Sequence, residues 1–102
     1  MYWNINDEER FYQALELATS RHLLVNLLYD LLTEKEIKQC ILRLKVACLL
    51  HDGASYTEIN KVVKIGPSTI ARLSKQLNEK DSGFSQIIEK FLLAGRGEAY
   101  FD

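Results

Sequence analysis

SYTEINKVVKIGPSTIARLSKQLN, residues 55–78, is the stretch on which the reading of this chain turns. Ser55 followed by Glu58 forms a capping box: the serine hydroxyl accepts the orphan amide three residues on, and the glutamate reaches back. Ile59, Val62 and Val63 then recur at i, i+3 and i+4, which predicts one apolar helix face. Lys64-Ile65-Gly66 breaks the pattern. Pro67, with its fixed φ, suits the first turn of a second helix.

In that second helix Ile70, Leu73 and Leu77 form one apolar line. Ser68, Arg72 and Lys75 fall on the opposite side at about 100° per residue. A short helix with a core line behind and hydrogen-bonding, basic residues in front fits a helix-turn-helix, whose second helix reads the DNA major groove. The same pattern also fits an αα-hairpin whose charged stripe is merely solvated.

Working outward, 102 residues make one small domain in which covering a core is difficult. The expected division is an N-terminal arm and dimerisation helices over residues 1–54, the helix-turn-helix over 55–78, and a C-terminal helix and tail over 79–102. Apolar residues are 47% of the chain, a high share that favours a helical homodimer. The net charge of −1 gives no global basic excess. Its distribution is uneven: residues 1–34 hold two basic and six acidic side chains, residues 35–80 nine and four, residues 81–102 two and four. Positive charge therefore gathers around the helix-turn-helix pattern, as a DNA footprint requires.

Upstream, Asp7 to Ala18 reads as a helix with acidic residues at its positive end. Met1 to Asn6 reads as a loose arm whose Tyr2 and Trp3 could dock on a partner subunit. Ser20 caps a second helix, with Leu23, Leu24, Leu27, Leu28 and Leu31 along one side as core or dimer interface. Thr33 and Glu36 form another capping box, opening a long helix to about His51. Its expected buried face is Ile37, Cys40, Ile41, Leu44, Ala47 and Cys48, widened by Leu42, Val46, Leu49 and Leu50. Gly53 stops it. Beyond a polar break at residues 79–83, Phe84, Ile87, Ile88, Phe91 and Leu92 define a last helix, and residues 95–102 read as a frayed end. The sum is an all-α chain of six helices.

Cys40 and Cys48 lie too far apart for a Cys-x-x-Cys motif and read as two reduced core residues of a cytoplasmic protein. No signal segment opens the chain, and no apolar run approaches the roughly 18 residues of a membrane span. No phosphate-cradling loop, facing carboxylate pair or nucleophile–base set is present, His22 and His51 have no partner set, and neither an enzyme nor a metal or cofactor is expected.

The run LLTEKEIKQCILRLKVACLLHDGASYTEINKVVKIGPSTIARLSKQL resembles the Trp repressor superfamily, and within it the YerC/YecD-type branch. The likeness is carried by the Leu31-Leu32-Thr33 opening with Glu36, Arg43-Leu44, Leu49-Leu50, the glycine before the capping box, Glu58-Ile59, and Ser68-Thr69-Ile70 with Arg72. It implies an intertwined homodimer that sets two helix-turn-helix units on a roughly palindromic operator. It also implies a ligand pocket, with Arg43 and Arg72 matching the two arginines that flank the indole in tryptophan-binding members and Thr33 matching a third position. Two residues depart: Leu73 stands where those proteins have glycine, and Gln76 where they have serine. A leucine there is expected to fill the space of the ring, so no tryptophan corepressor is expected. Lys64 stands where many such turns have glycine; a lysine at positive φ would be strained, so Gly66 is expected to absorb the turn.

The resulting expectation is a sequence-specific DNA-binding regulator, a repressor acting without tryptophan on double-stranded DNA. Ser68, Thr69 and Arg72 are candidates for base edges, with Pro67 starting their helix, and Thr57, Lys61, Lys64 and Lys75 for phosphate. One alternative is a repressor with a small-molecule corepressor held by Thr33, Arg43, Arg72, Leu73 and Gln76. The other is a helical protein–protein interaction module whose basic middle is only solvated.

Overall fold

The computed structural model describes residues 6–95, so the arm at residues 1–5, with Tyr2 and Trp3, and the tail from residue 96 lie outside it. Six α-helices follow one another: α1 Asp7–Leu17, α2 Arg21–Leu31, α3 Glu34–His51, α4 Tyr56–Val62, α5 Pro67–Leu77 and α6 Gly83–Leu93. No strand occurs among the described residues.

Five of the six starts are chemically marked. Asn6, Ser20 and Ser82 each accept the amide three residues on, from Glu9, Leu23 and Ser85 respectively. Thr33 and Glu36 exchange bonds of 3.1 and 2.9 Å, and Ser55 and Glu58 bonds of 3.1 and 3.0 Å, completing both capping boxes. A cap of this kind stabilises a helix by about 1 kcal/mol. α5 starts differently, with Gly66 as an extended cap residue and Pro67 in the first turn.

The end of α3 is equally local. Gly53 has φ +91°, the Ala54 N–H donates to the Leu49 carbonyl at 3.0 Å, and the Gly53 N–H donates to the Leu50 carbonyl at 3.1 Å. This pair of bonds is a Schellman motif, and its left-handed residue is strained for anything but glycine.

The chain divides into two compact units, up to Lys38 and from Gln39 on, with the boundary inside α3. The second unit holds a continuous core. Val46, Ile59 and Ile70 are 0% exposed and Leu73 1%, with Leu42, Leu49, Val63, Ile65 and Phe84 packed around them. Beside it Ala47, Cys48, Leu77 and Ile88 form a second cluster that joins α3, α5 and α6. Burying each large aliphatic side chain contributes about 1.5–3 kcal/mol. The Ser85 hydroxyl also donates to the Leu77 carbonyl at 2.7 Å, fixing α6 against the end of α5.

Several expectations are corrected here. Of the expected α3 face Ile37, Ala47 and Cys48 are buried, joined by Val46 from the residues that widen it, whereas Ile41 is 62% exposed and Cys40 is also exposed. A helix apolar around most of its girth has more than one possible inward side, and α4 and α5 select the one carrying Val46. Burial pushes the Cys48 thiol above its ordinary pKa. In α4 only Ile59 is fully buried; Val62 is 58% exposed, and the chain runs on extended through Val63 to pack a half-buried Ile65 against the core instead. Lys64 does not adopt a positive φ, and Gly66 lies at φ −71°, ψ 151°, so the turn between α4 and α5 is extended and unstrained. The one left-handed non-glycine residue among those described is Asp81, at φ 62°, in the α5–α6 connection.

The first unit contrasts with this. Neither α1 nor α2 contains a buried residue, and its buried positions are Ala18 and Ile37. Phe11, Tyr12, Leu17, Leu23, Leu24, Val25, Tyr29 and Leu31 are all exposed.

Candidate nucleic-acid interface

α5 is oriented by three residues. Ile70, Leu73 and Leu77 are buried, and they anchor one line of the helix in the core. The helical period then leaves Ser68, Arg72 and Lys75 on the solvent side, where all three are exposed. Pro67 is exposed in the first turn, and Thr69 is half-buried at the edge of the packed line. Of the base-edge candidates, then, Ser68 and Arg72 stand free of the core, while Thr69 is partly covered.

The flanking cations come from α4 and the turn. Lys61 in the last turn of α4, Lys64 after it and Thr57 in its first turn are exposed. No salt bridge joins Lys61, Lys64, Arg72 or Lys75 to a carboxylate among the described residues, whereas Lys38 pairs with Glu34 at 3.2 Å. Glu58, the one acidic residue of α4, is held in its capping box. The Ser55 backbone N–H donates to its carboxylate, which keeps the carboxyl below its ordinary pKa. A row of unpaired cations beside an exposed hydroxyl and a guanidinium can neutralise phosphates while presenting donors to base edges.

A second feature lies beside α5. An open groove of about 840 Å³ runs between α3, α5 and the start of α6, lined among others by Arg43, Arg72, Leu73, Gln76, Phe84 and Ile87. Four of the five residues of the alternative ligand reading thus meet in one place. The fifth, Thr33, is engaged as the cap of α3. Leu73 does not close the space: it is packed into the core beside Val46, Ile59 and Ile70 and contributes only to the groove's lining. Sequence reasoning missed Phe84 and Ile87 as groove residues, since both were accounted for by the apolar period of α6. The polar connection at residues 79–83 was the available signal that α6 would turn back alongside α5.

The sequence model of the Trp repressor protein family matches residues 7–92. The chain belongs to the Trp repressor family. Its members are DNA-binding transcription regulators and not enzymes, and the all-α helix-turn-helix architecture agrees with that membership. No curated protein and no solved structure gives a significant match to this Trp repressor family chain. No helix among the described residues is long and apolar enough to cross a membrane.

Proposed function

We propose that this family member is a sequence-specific repressor that binds a roughly palindromic operator as a homodimer, in the cytoplasm, and does so without tryptophan. The observation that carries the reading is the two-sided α5: Ile70, Leu73 and Leu77 locked in the core, and Ser68, Arg72 and Lys75 presented outward with the cations unpaired. The likeness of residues 31–78 to the YerC/YecD-type branch supports it. Dimerisation is supported by the apolar side chains that α1 and α2 leave exposed.

Independence from tryptophan is supported by Leu73. A ligand raises DNA affinity only by favouring the DNA-competent conformation over another. Here the Leu73 side chain, buried beside Ile59 and Ile70, holds α5 against α4 by its own packing. Burying it contributes about 1.5–3 kcal/mol, comparable to the bias a small effector supplies.

Selection of bound sequences from a random DNA pool tests the whole reading, with a palindrome of two half-sites expected. Arg72→Ala is expected to relax preference at one or two positions per half-site and to cost about 1–3 kcal/mol per lost bidentate pair. Lys75→Ala should weaken all sequences alike and flatten the salt dependence. Operator affinity is expected to be the same with and without millimolar tryptophan; a tenfold gain on adding it would return the corepressor reading to first place. Absence of operator binding at every salt concentration would favour the protein-interaction module.

A further inference from the structure

The outward side of α5 holds, near its middle, a residue with neither a charge nor a hydrogen-bonding side chain. The exposed residues of α5 are Pro67, Ser68, Ala71, Arg72, Lys75 and Gln76. At about 100° per residue, Ser68 and Lys75 point within about 20° of each other and set the midline opposite the buried Ile70, Leu73 and Leu77. Ala71 and Arg72 occupy the turn between them, each about 50° from that midline and on opposite sides of it. Pro67 stands about 90° off, at the edge.

The relief of this side is uneven. From Pro67 to Ala71 the outward side chains are a ring at the edge, a hydroxymethyl and a methyl, and the long ones, Arg72 and Lys75, come after. A low start lets the backbone come close to base edges, as a helix that enters the major groove by its N-terminal residues must. At that range a β-methyl reaches the C5 methyl of thymine, the one methyl group a base presents in the major groove. We propose that Ala71 is a specificity-determining residue, its methyl packed against a thymine methyl in each half-site. This rests on the proposed function and adds an apolar element to a readout otherwise made of hydrogen-bonding groups. Because Ala71 and Arg72 are consecutive, the thymine lies within about two base pairs of the one Arg72 reads.

Helix propensity alone also favours alanine at an exposed position. The test therefore reads what propensity does not move, the ratio of one protein's affinities for two DNAs that differ by a methyl group. On the selected operator each thymine is replaced in turn by uracil, which keeps every hydrogen-bonding group and removes only the methyl. At one position in each half-site uracil should weaken binding about fourfold, as expected for withdrawing one carbon's worth of apolar cover. In Ala71→Gly that ratio should fall to near one, whatever the variant loses in overall affinity through a less stable helix. Ala71→Ser, which strains the helix less and sets a hydroxyl against the methyl, should lose the ratio as well and serves if the glycine variant does not fold. Operator binding with no thymine sensitive to its methyl overturns the assignment and leaves the proposed function standing. A sensitive thymine with the same ratio in both variants also overturns it and gives the methyl contact to another residue, such as Pro67. Absence of DNA binding by the parent chain at every salt concentration overturns both.

Discussion

α2 and α5 are both eleven residues long, and by composition α2 should be the better buried. It carries Leu23, Leu24, Val25, Leu27, Leu28 and Leu31, against Ile70, Leu73 and Leu77 in α5. The opposite holds: α5 buries all three, and α2 contains no buried residue. Apolar content is a demand for cover, and burial is that demand met. In α5 it is met by α3, α4 and α6 within one chain. In α2 it is left for another surface, for which a second copy is the proposed occupant.

The sharpest way to break this contrast is to attack the side that is already satisfied. Leu73→Ala removes a buried side chain from the centre of the second unit and is expected to cost about 2–5 kcal/mol of stability, measured by denaturant unfolding. In so small a domain that approaches the total. The counterpart in the first unit is a concentration effect. If the exposed leucines of α2 are covered by a second copy, the melting temperature should rise with protein concentration. The paired substitution Leu24→Ser, Leu27→Ser should abolish that dependence and give monomer mass by ultracentrifugation. A melting point constant over a hundredfold dilution of the parent chain would remove the dimer from the account.

Smaller effects sharpen the local side of the comparison. Gly53→Ala forces a β-carbon into the left-handed ending of α3 and is expected to cost about 1–2 kcal/mol, although nothing lies near enough to clash with it. Ser55→Ala removes one half of a capping box and should cost about 1 kcal/mol by thermal melting. The two capping glutamates also set a pH dependence. Glu36 and Glu58 are held below their ordinary value of 4.5, first by the backbone N–H groups of Thr33 and Ser55. A depressed carboxyl contributes stability that is present above its unfolded value and lost as pH falls through the folded one. Ellipticity should therefore decline below pH 4.5, and Ser55→Ala should lessen the part of that decline belonging to Glu58.

Helix positions were legible because they are written in local chemistry. Ser55 with Glu58, Thr33 with Glu36, Gly53 and Pro67 each act within a few residues, so their neighbours in sequence suffice to read them. The two faces of α5 were legible for the same reason, since consecutive residues such as Arg72 and Leu73 point about 100° apart around a helix. Which side of α3 turns inward was legible only in part, at Ile37, Ala47 and Cys48. Val46 and Ile41 are equally apolar, and only the arrival of α4 and α5 distinguishes them. The left-handed residue of the α5–α6 connection was missed because nothing in the polar run of residues 79–83 marks Asp81 for it, while Gly83 begins α6 under the Ser82 cap. The groove was illegible for a deeper reason: it belongs to three helices at once, and Arg43, Arg72 and Ile87 each have an adequate reading alone.

The caps also order events in time. Each side-chain bond that starts a helix, from Asn6 to Ser82, joins residues three apart. Such closures are local and fast, as even a loop of about ten residues closes in roughly 10–100 ns. Helix ends can thus be chosen before any two helices have met, and collapse begins from segments whose limits are set. Covering the leucines of α2 by a second copy would instead be a bimolecular event, and in a dilute nascent chain the slowest one. The interval between them is when those leucines stand open to the wrong partner.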